Sequence, residues 1–275
     1  MLHCPLRYAA GMANSSTLSF SCSNVYISVA GRALVNDLSL DVERGEFLAV
    51  IGQNGVGKTL TMHTLAGLRA ADAGEIRVNG QSTAASRRQE TARHLALLPQ
   101  HVDDIFPATA LDTAMIGRHP HIGRFDWESD DDFRIARAAL DAVGLAGFAA
   151  RDVLTLSGGE RRRLAIAQIL TQQPTVYLLD EPTNHLDPQH QLEALQLFRD
   201  KADDGAVVIA NLHDVNLGVR YADRCLLLYG NGQWDLGKTA DILDAERLSK
   251  LYGTTIEALD WRSSKLFFAS GDVPG

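Results

Sequence analysis

Residues 52–59 read GQNGVGKT, a spacing of glycines, a lysine and a hydroxyl that suits the wrapping of a phosphate chain. Gly52, Gly55 and Gly57 free the backbone to turn, so that successive N–H groups, with that of Asn54, face one point. Lys58 then reaches the β and γ phosphates of a triphosphate, and Thr59 offers its hydroxyl to Mg²⁺. Thr61, in the same helical turn, is a further candidate contact. A helix starting there adds a partial positive charge worth about 0.3–1 kcal/mol toward an anion. A merely structural glycine turn has no need of the flanks found here, the apolar FLAVI (47–51) before it and LTMHTLAGL behind it.

A second set of groups is acidic and amide. Asp180 and Glu181 end the apolar run VYLLD (176–180), where a strand in an open α/β sheet meets its ligand crevice. Asp180 there holds the Mg²⁺ shell, directly or through water, and Glu181 polarises an attacking water. Two acids before Pro182 could also do no more than begin a loop; a phosphate loop elsewhere in the chain favours chemistry. His213 follows another apolar run, AVVIAN (206–211), and its position at the same sheet edge suits a γ-phosphate contact rather than a loop cap. Gln100, after ALLP, has the reach for Mg²⁺ or the attacking water.

A third group lies at 155–168, TLSGGERRRLAIAQ. Ser157 caps a helix, Gly158 and Gly159 leave its first N–H groups bare, and a dense apolar face follows, which makes a second anion site. Arg161, Arg162 and Arg163 oppose the helix dipole unless something acidic lies near them.

These residues need a scaffold, and the hydrophobic pattern supplies one. FLAVI, VYLLD, AVVIAN and RCLLLY (224–229) are short continuous apolar runs, as in strands buried on both faces. Amphipathic segments of crossover length separate them, which predicts a mostly parallel sheet. Residues 18–42 alternate apolar with polar and turn at Ala30-Gly31, which predicts an antiparallel β layer. From about 101 to 155 such strands are missing; Phe133, Ala136, Leu140 and Val143 recur at helical spacing, so this stretch is expected to be an inserted helical subdomain. A short helix over 245–252 and the strand-like LFFAS follow toward the end. The fold class is therefore α/β, with the antiparallel layer and the helical subdomain added to the core.

Composition limits the alternatives. At 275 residues the chain fits one large domain with a lobe, and 45% apolar content is ordinary for a globular protein. No apolar run approaches the eighteen or so residues that span a bilayer. The first sixteen residues lack the apolar centre of a secretory signal and read as a disordered tail, with Met12 as an alternative start. A formal charge of −8 argues against sequence-independent nucleic-acid binding. Three cysteines without metal-like spacing favour idle thiols and a reducing cytoplasm.

With its phosphate loop, Gln100, LSGGE, LLDEP, NHLD (184–187) and His213 in this order, the sequence resembles the ATP-binding subunits of ABC transporters from Leu18 to about Tyr252. The resemblance implies an ATP-binding domain over 17–250, a helical subdomain at about 101–155 and a C-terminal extension over 251–275. It also implies ATP hydrolysis with Mg²⁺ in a head-to-tail homodimer, where Ser157, Gly158 and Gly159 of one chain close over the ATP held by the other. Glu160 stands where that family most often has Gln. The family's adenine-stacking aromatic has Val29 or Ile27 near its expected place, with Tyr26 the neighbouring candidate. GRHPHIG (117–123), PQHQ (188–191) and HDVNLGVRYAD (213–223) resemble the importers of iron-siderophore, haem and cobalamin. That implies integral-membrane permease subunits fed by a periplasmic substrate-binding protein, and a peripheral place on the cytoplasmic face of the inner membrane. Arg118, His119 and Pro120 are candidates for the surface that receives the permease. Competing expectations are a soluble ABC ATPase acting on ribosomes or DNA, an exporter motor and a regulatory module that holds ATP without turnover.

Overall fold

The computed structural model describes residues 18–101, 107–123, 125–262 and 264–270. The expected tail, residues 1–16, lies outside them.

Two strands, β1 (Leu18–Val29) and β2 (Arg32–Glu43), pair antiparallel across the turn at Ala30-Gly31, as the alternation predicts. After β3 (Phe47–Ile51) and helix α1 (Lys58–Leu65) the chain returns to this layer as β4 (Ala73–Val78) and β5 (Gln81–Ser82), giving the order β2-β1-β4-β5.

The second sheet takes β3, β6 (Leu95–Leu98), β7 (Val176–Asp180), β8 (Val207–Asn211), β9 (Arg224–Leu228) and β10 (Trp234–Lys238) in the order β10-β9-β3-β8-β7-β6. All its pairings are parallel except β10 with β9. The continuous apolar runs have their explanation here. Phe47, Ala49 and Ile51 of β3 join the core on one face, Leu48 and Val50 the core on the other, and all five are fully buried. The carboxyl ends of β3, β7 and β8 consequently stand side by side, with Asp180 paired to Asn211 in register.

Short helix α2 (Arg88–His94) leads into β6, and the insertion between β6 and β7 is helical: α3 (Ala110–Met115), α4 (Asp130–Ala142) and α5 (Gly158–Gln172). These three pack on one another. The helical unit therefore runs through α5 to residue 172, further than the expected boundary near 155, because the apolar face of α5 completes the packing of α3 and α4. Helix α6 (Pro188–Asp203), with Asp187 at its N-cap and Pro188 in its first turn, and α7 (Val215–Tyr221) cross between the later strands. The chain ends in α8 (Thr239–Ile242), α9 (Ala245–Tyr252) and the hairpin β11 (Ile256–Trp261) with β12 (Ser264–Ala269). A domain boundary at 250 cuts α9, whose Leu248 and Leu251 are buried in the main core, so α9 belongs with the sheet domain. The hairpin is tied on by Asn216 of α7, which both donates to and accepts from the backbone of Phe267.

Candidate functional site

Gly52 leaves β3 where a Cβ would lie 2.6 Å from the carbonyl oxygen of Leu228, so only glycine lets the loop start between its neighbours. Gly57 begins α1 with φ of +106°, and a Cβ there would meet Leu34 of β2 at 2.7 Å. The antiparallel layer thus presses on the loop and fixes its curl. Lys58 is 5% exposed and donates to the carbonyls of Gly52 (2.8 Å) and Gln53 (3.0 Å). Burial draws its pKa down, while Glu181 and Asp180 draw it back up.

A cavity of about 350 Å³ is lined by Asn54, Gly55, Gly57, Lys58, Thr59, Leu60, Gln100, Glu181 and His213. Four separate segments thereby meet. Glu181 is buried, and its carboxylate accepts from Gln100 Nε2 at 2.8 Å and from Asn184 Nδ2, while His213 Nε2 lies 2.5 Å from its other oxygen. Beside it Asp180, fully buried, accepts from Asn211 Nδ2 at 2.5 Å through one oxygen, and its Oδ2 has no partner among the described residues. A larger groove of about 730 Å³ runs between α4 and α6. It gathers mixed charges on helix surfaces without a glycine turn or a convergent acid and base, so volume alone does not locate the chemistry.

Three candidates fall elsewhere. Thr61 is fully buried, its hydroxyl without a partner among the described residues, and does not line the cavity; two residues past Thr59 the helix has turned by about 200°, which carries it from the cavity to the core. Tyr26 stands on β1 at 39% exposure, outside the cavity lining. Arg118 is not a free docking group: it is 8% exposed, bonds Asp132 at 2.7 Å and donates to the carbonyl of Thr171 and to Gln173. Its neighbours divide, His119 lying exposed while the Pro120 carbonyl accepts from Gln89 and Arg93.

Ser157, Gly158 and Gly159 also lie outside the cavity. Ser157 and Glu160 form a reciprocal capping box at the start of α5. A Cβ on Gly158 would meet nothing closer than His185 at 3.9 Å, so this helix start is open on the surface. The three arginines are not answered by acids alone. Arg161 donates to the carbonyls of Leu154 and Leu156, Arg163 to that of Val143 at the end of α4, and Arg162 turns inward.

Two amides take part without having been assigned a role: Asn211, which could have been noticed as a lone polar residue closing an apolar strand, and Asn184, which stands in the NHLD segment but was given no contact of its own. Leu60 also lines the cavity and carries no such signal.

The family model described as ABC transporter matches residues 35–184. The chain is 39% identical over 244 residues to the hemin import ATP-binding protein HmuV of Deinococcus radiodurans, covering 87% of this chain and 92% of that protein. To its namesake from Myxococcus xanthus it is 37% identical over 241 residues, with 85% and 89% covered. Among solved structures, a metal-chelate type ABC transporter in an inward-facing conformation aligns at a TM-score of 0.81 and 28% identity, over 93% of this chain and 98% of that one. The cavity that joins a phosphate loop to a clasped glutamate is thus found in a chain that belongs to the ABC transporter family, as one of its ATP-binding, ATP-hydrolysing subunits.

Proposed function

We propose that this chain is the motor of a membrane importer for a haem, cobalamin or iron-siderophore chelate, working as a head-to-tail homodimer under a permease on the cytoplasmic face of the inner membrane. The observation that carries the catalytic part is the clasp on Glu181, held by Gln100, Asn184 and His213 in the cavity walled by the phosphate loop. The importer part rests on likeness to hemin import ATP-binding proteins over most of both chains.

Glu181 accepts the proton of the attacking water, and its amide and imidazole partners fix which oxygen faces that water. His213, with 41% of its side chain exposed, is free to exchange its bond to Glu181 for one to the γ phosphate. Lys58 exchanges its loop carbonyls for phosphate oxygens. The residues fit Mg²⁺: Asp180 keeps one buried carboxylate oxygen without a protein partner among the described residues, and Thr59 and Gln100 add neutral oxygens from the cavity wall. When bound, that ion neutralises charge on the phosphate oxygens. The open helix start at Ser157, Gly158 and Gly159 then serves the γ phosphate held by a second copy, so the dimer closes only while that phosphate is present. A periplasmic substrate-binding protein feeds the permease without touching this chain.

Co-expression with the candidate permease, reconstitution in vesicles and measurement of ATP-dependent uptake of hemin, cobalamin and a ferric siderophore test this reading. Uptake of one of them that is lost in Glu181→Gln is the expected result. ATP hydrolysis that responds to nucleic acid or ribosomes and not to any permease overturns it.

A further inference from the structure

Arg162 opens the second turn of α5, five residues past Ser157 in the run of three arginines, yet it is only 4% exposed. Its guanidinium makes four hydrogen bonds, every one to a main-chain carbonyl. Nη1 donates to Pro99 at 2.5 Å, Nη2 to Asp180 at 2.8 Å and to Glu181 at 2.6 Å, and Nε to Pro182 at 3.2 Å.

Three consecutive carbonyls can converge on one cation only if the chain curls sharply there. Glu181 does so with a φ of +52°, a left-handed conformation that a residue with a side chain adopts only when its surroundings hold it. The fourth carbonyl belongs to Pro99, the residue before Gln100, and Gln100 in turn bonds the Glu181 carboxylate. Burial draws the guanidinium pKa down to about 10, with Asp180 and Glu181 pulling it back up, so the group stays charged at neutral pH.

The geometry points to Arg162 as a positioning residue that locks the LSGGE helix of a chain to the Glu181 turn and the Gln100 loop of the same chain. A tilt of α5 relative to the sheet must stretch or break these bonds, so Glu181 is set in register with its own chain's helix start. This rests on the head-to-tail reading, under which that helix start serves the other nucleotide. Arg162 then links the two composite sites: it sets the glutamate of one and the signature of the other.

Heterodimers with a single intact site separate the two effects. In the first, one chain carries Lys58→Ala with Arg162→Gln and the other Ser157→Arg, so the only intact loops pair the second chain's phosphate loop with the altered chain's signature. In the second, one chain carries Ser157→Arg with Arg162→Gln and the other Lys58→Ala, so the intact site uses the altered chain's own Glu181. Every homodimer in either mixture is inactive. Relative to the same heterodimers with Arg162 intact, kcat is expected to fall about tenfold or more in both, with KM for ATP moving by less than about twofold. Loss in one arrangement only, or a rate within about twofold of control, overturns the link.

If the control heterodimers recover no activity, it is the head-to-tail reading that fails. The Arg162→Gln homodimer then decides the positioning role by itself, which is overturned if kcat is unchanged. Melting temperature guards against simple unfolding. Should Arg162→Gln not fold, Arg162→Lys, which keeps the charge but not the four-bond fork, replaces it and must show the same split between kcat and KM.

Discussion

At the start of α1 no side chain caps the helix and no acid stands in its first turn, whereas at the start of α5 Ser157 and Glu160 cap each other reciprocally. The first helix start faces a cavity with a lysine, an amide, a carboxylate and an imidazole on its walls. The second is open to solvent, and none of its residues lines that cavity. Both offer backbone N–H groups and a helix dipole to an anion. What separates them is company: one is surrounded by groups that can carry out chemistry, and the other can only add contacts to a phosphate that something else presents. A region that binds without a reaction centre, next to a region with a reaction centre and an open mouth, makes sense as two halves of a site divided between chains.

The strongest test of the contrast acts on the reaction centre. Glu181→Gln is expected to keep ATP binding and lower turnover by about 10²–10⁴, since an amide still bonds water but accepts its proton poorly. Steady-state hydrolysis beside equilibrium nucleotide binding measures it, and a wild-type rate would show that another group takes the proton. Next in size, Lys58→Ala removes the buried cation of the loop and leaves the carbonyls of Gly52 and Gln53 without their donor. Nucleotide affinity is expected to weaken about tenfold or more, as charged hydrogen bonds worth about 1.5–3 kcal/mol are lost. Titration with a fluorescent ATP analogue reads it, and unchanged affinity removes Lys58 from the phosphate site.

Ser157→Arg probes the other half. The affinity of the isolated monomer for ATP should stay within about twofold, because its own loop is untouched, while hydrolysis at concentrations that favour the dimer should stop. Mixing it with Lys58→Ala should restore part of the activity through the one composite site with both loops intact. A monomer of Ser157→Arg that no longer binds ATP would place both helix starts on one nucleotide.

The smallest effect concerns the cap itself. Glu160→Ala should cost about 1 kcal/mol of stability through loss of the reciprocal cap and leave monomer ATP affinity alone. The bond from the Ser157 N–H is the main cause that holds the Glu160 carboxyl below 4.5. A lowered folded-state pKa means that its stabilisation is complete above about pH 4.5 and is lost as pH falls through the lowered value. The variant should therefore lose less stability than the wild type over that acidic range in chemical unfolding, and equal slopes would show that Glu160 is not held.

Much of this was legible in order along the chain. The glycine loop, the buried runs that became β3, β7, β8 and β9, the antiparallel pair across Ala30-Gly31 and the short helix at 245–252 all rest on local periodicity, which neighbours in sequence suffice to specify. So does the Ser157 cap at the start of α5, which closes within a single helical turn. The same locality explains what went astray. Thr61 lies about half a turn past Thr59 and so faces away from the loop it follows, Arg118 is paired with Asp132 from the next helix, and the helical unit runs on through α5, which packs with α3 and α4.

By itself, then, the order of residues determined which segments are strands and helices, and which of them carry phosphate-binding and acid–base groups, because backbone dihedrals and hydrophobic period are short-range properties. Only the tertiary structure decided that Gln100, Glu181 and His213 share one cavity with Lys58, that Asn211 holds Asp180 across adjacent strands, and that Arg162 of three similar arginines is the one turned inward. Those outcomes depend on strand order and on how α5 leans against the sheet. Contacts between residues some twenty to more than a hundred positions apart are fixed by the packing of a shared core, which no local pattern encodes.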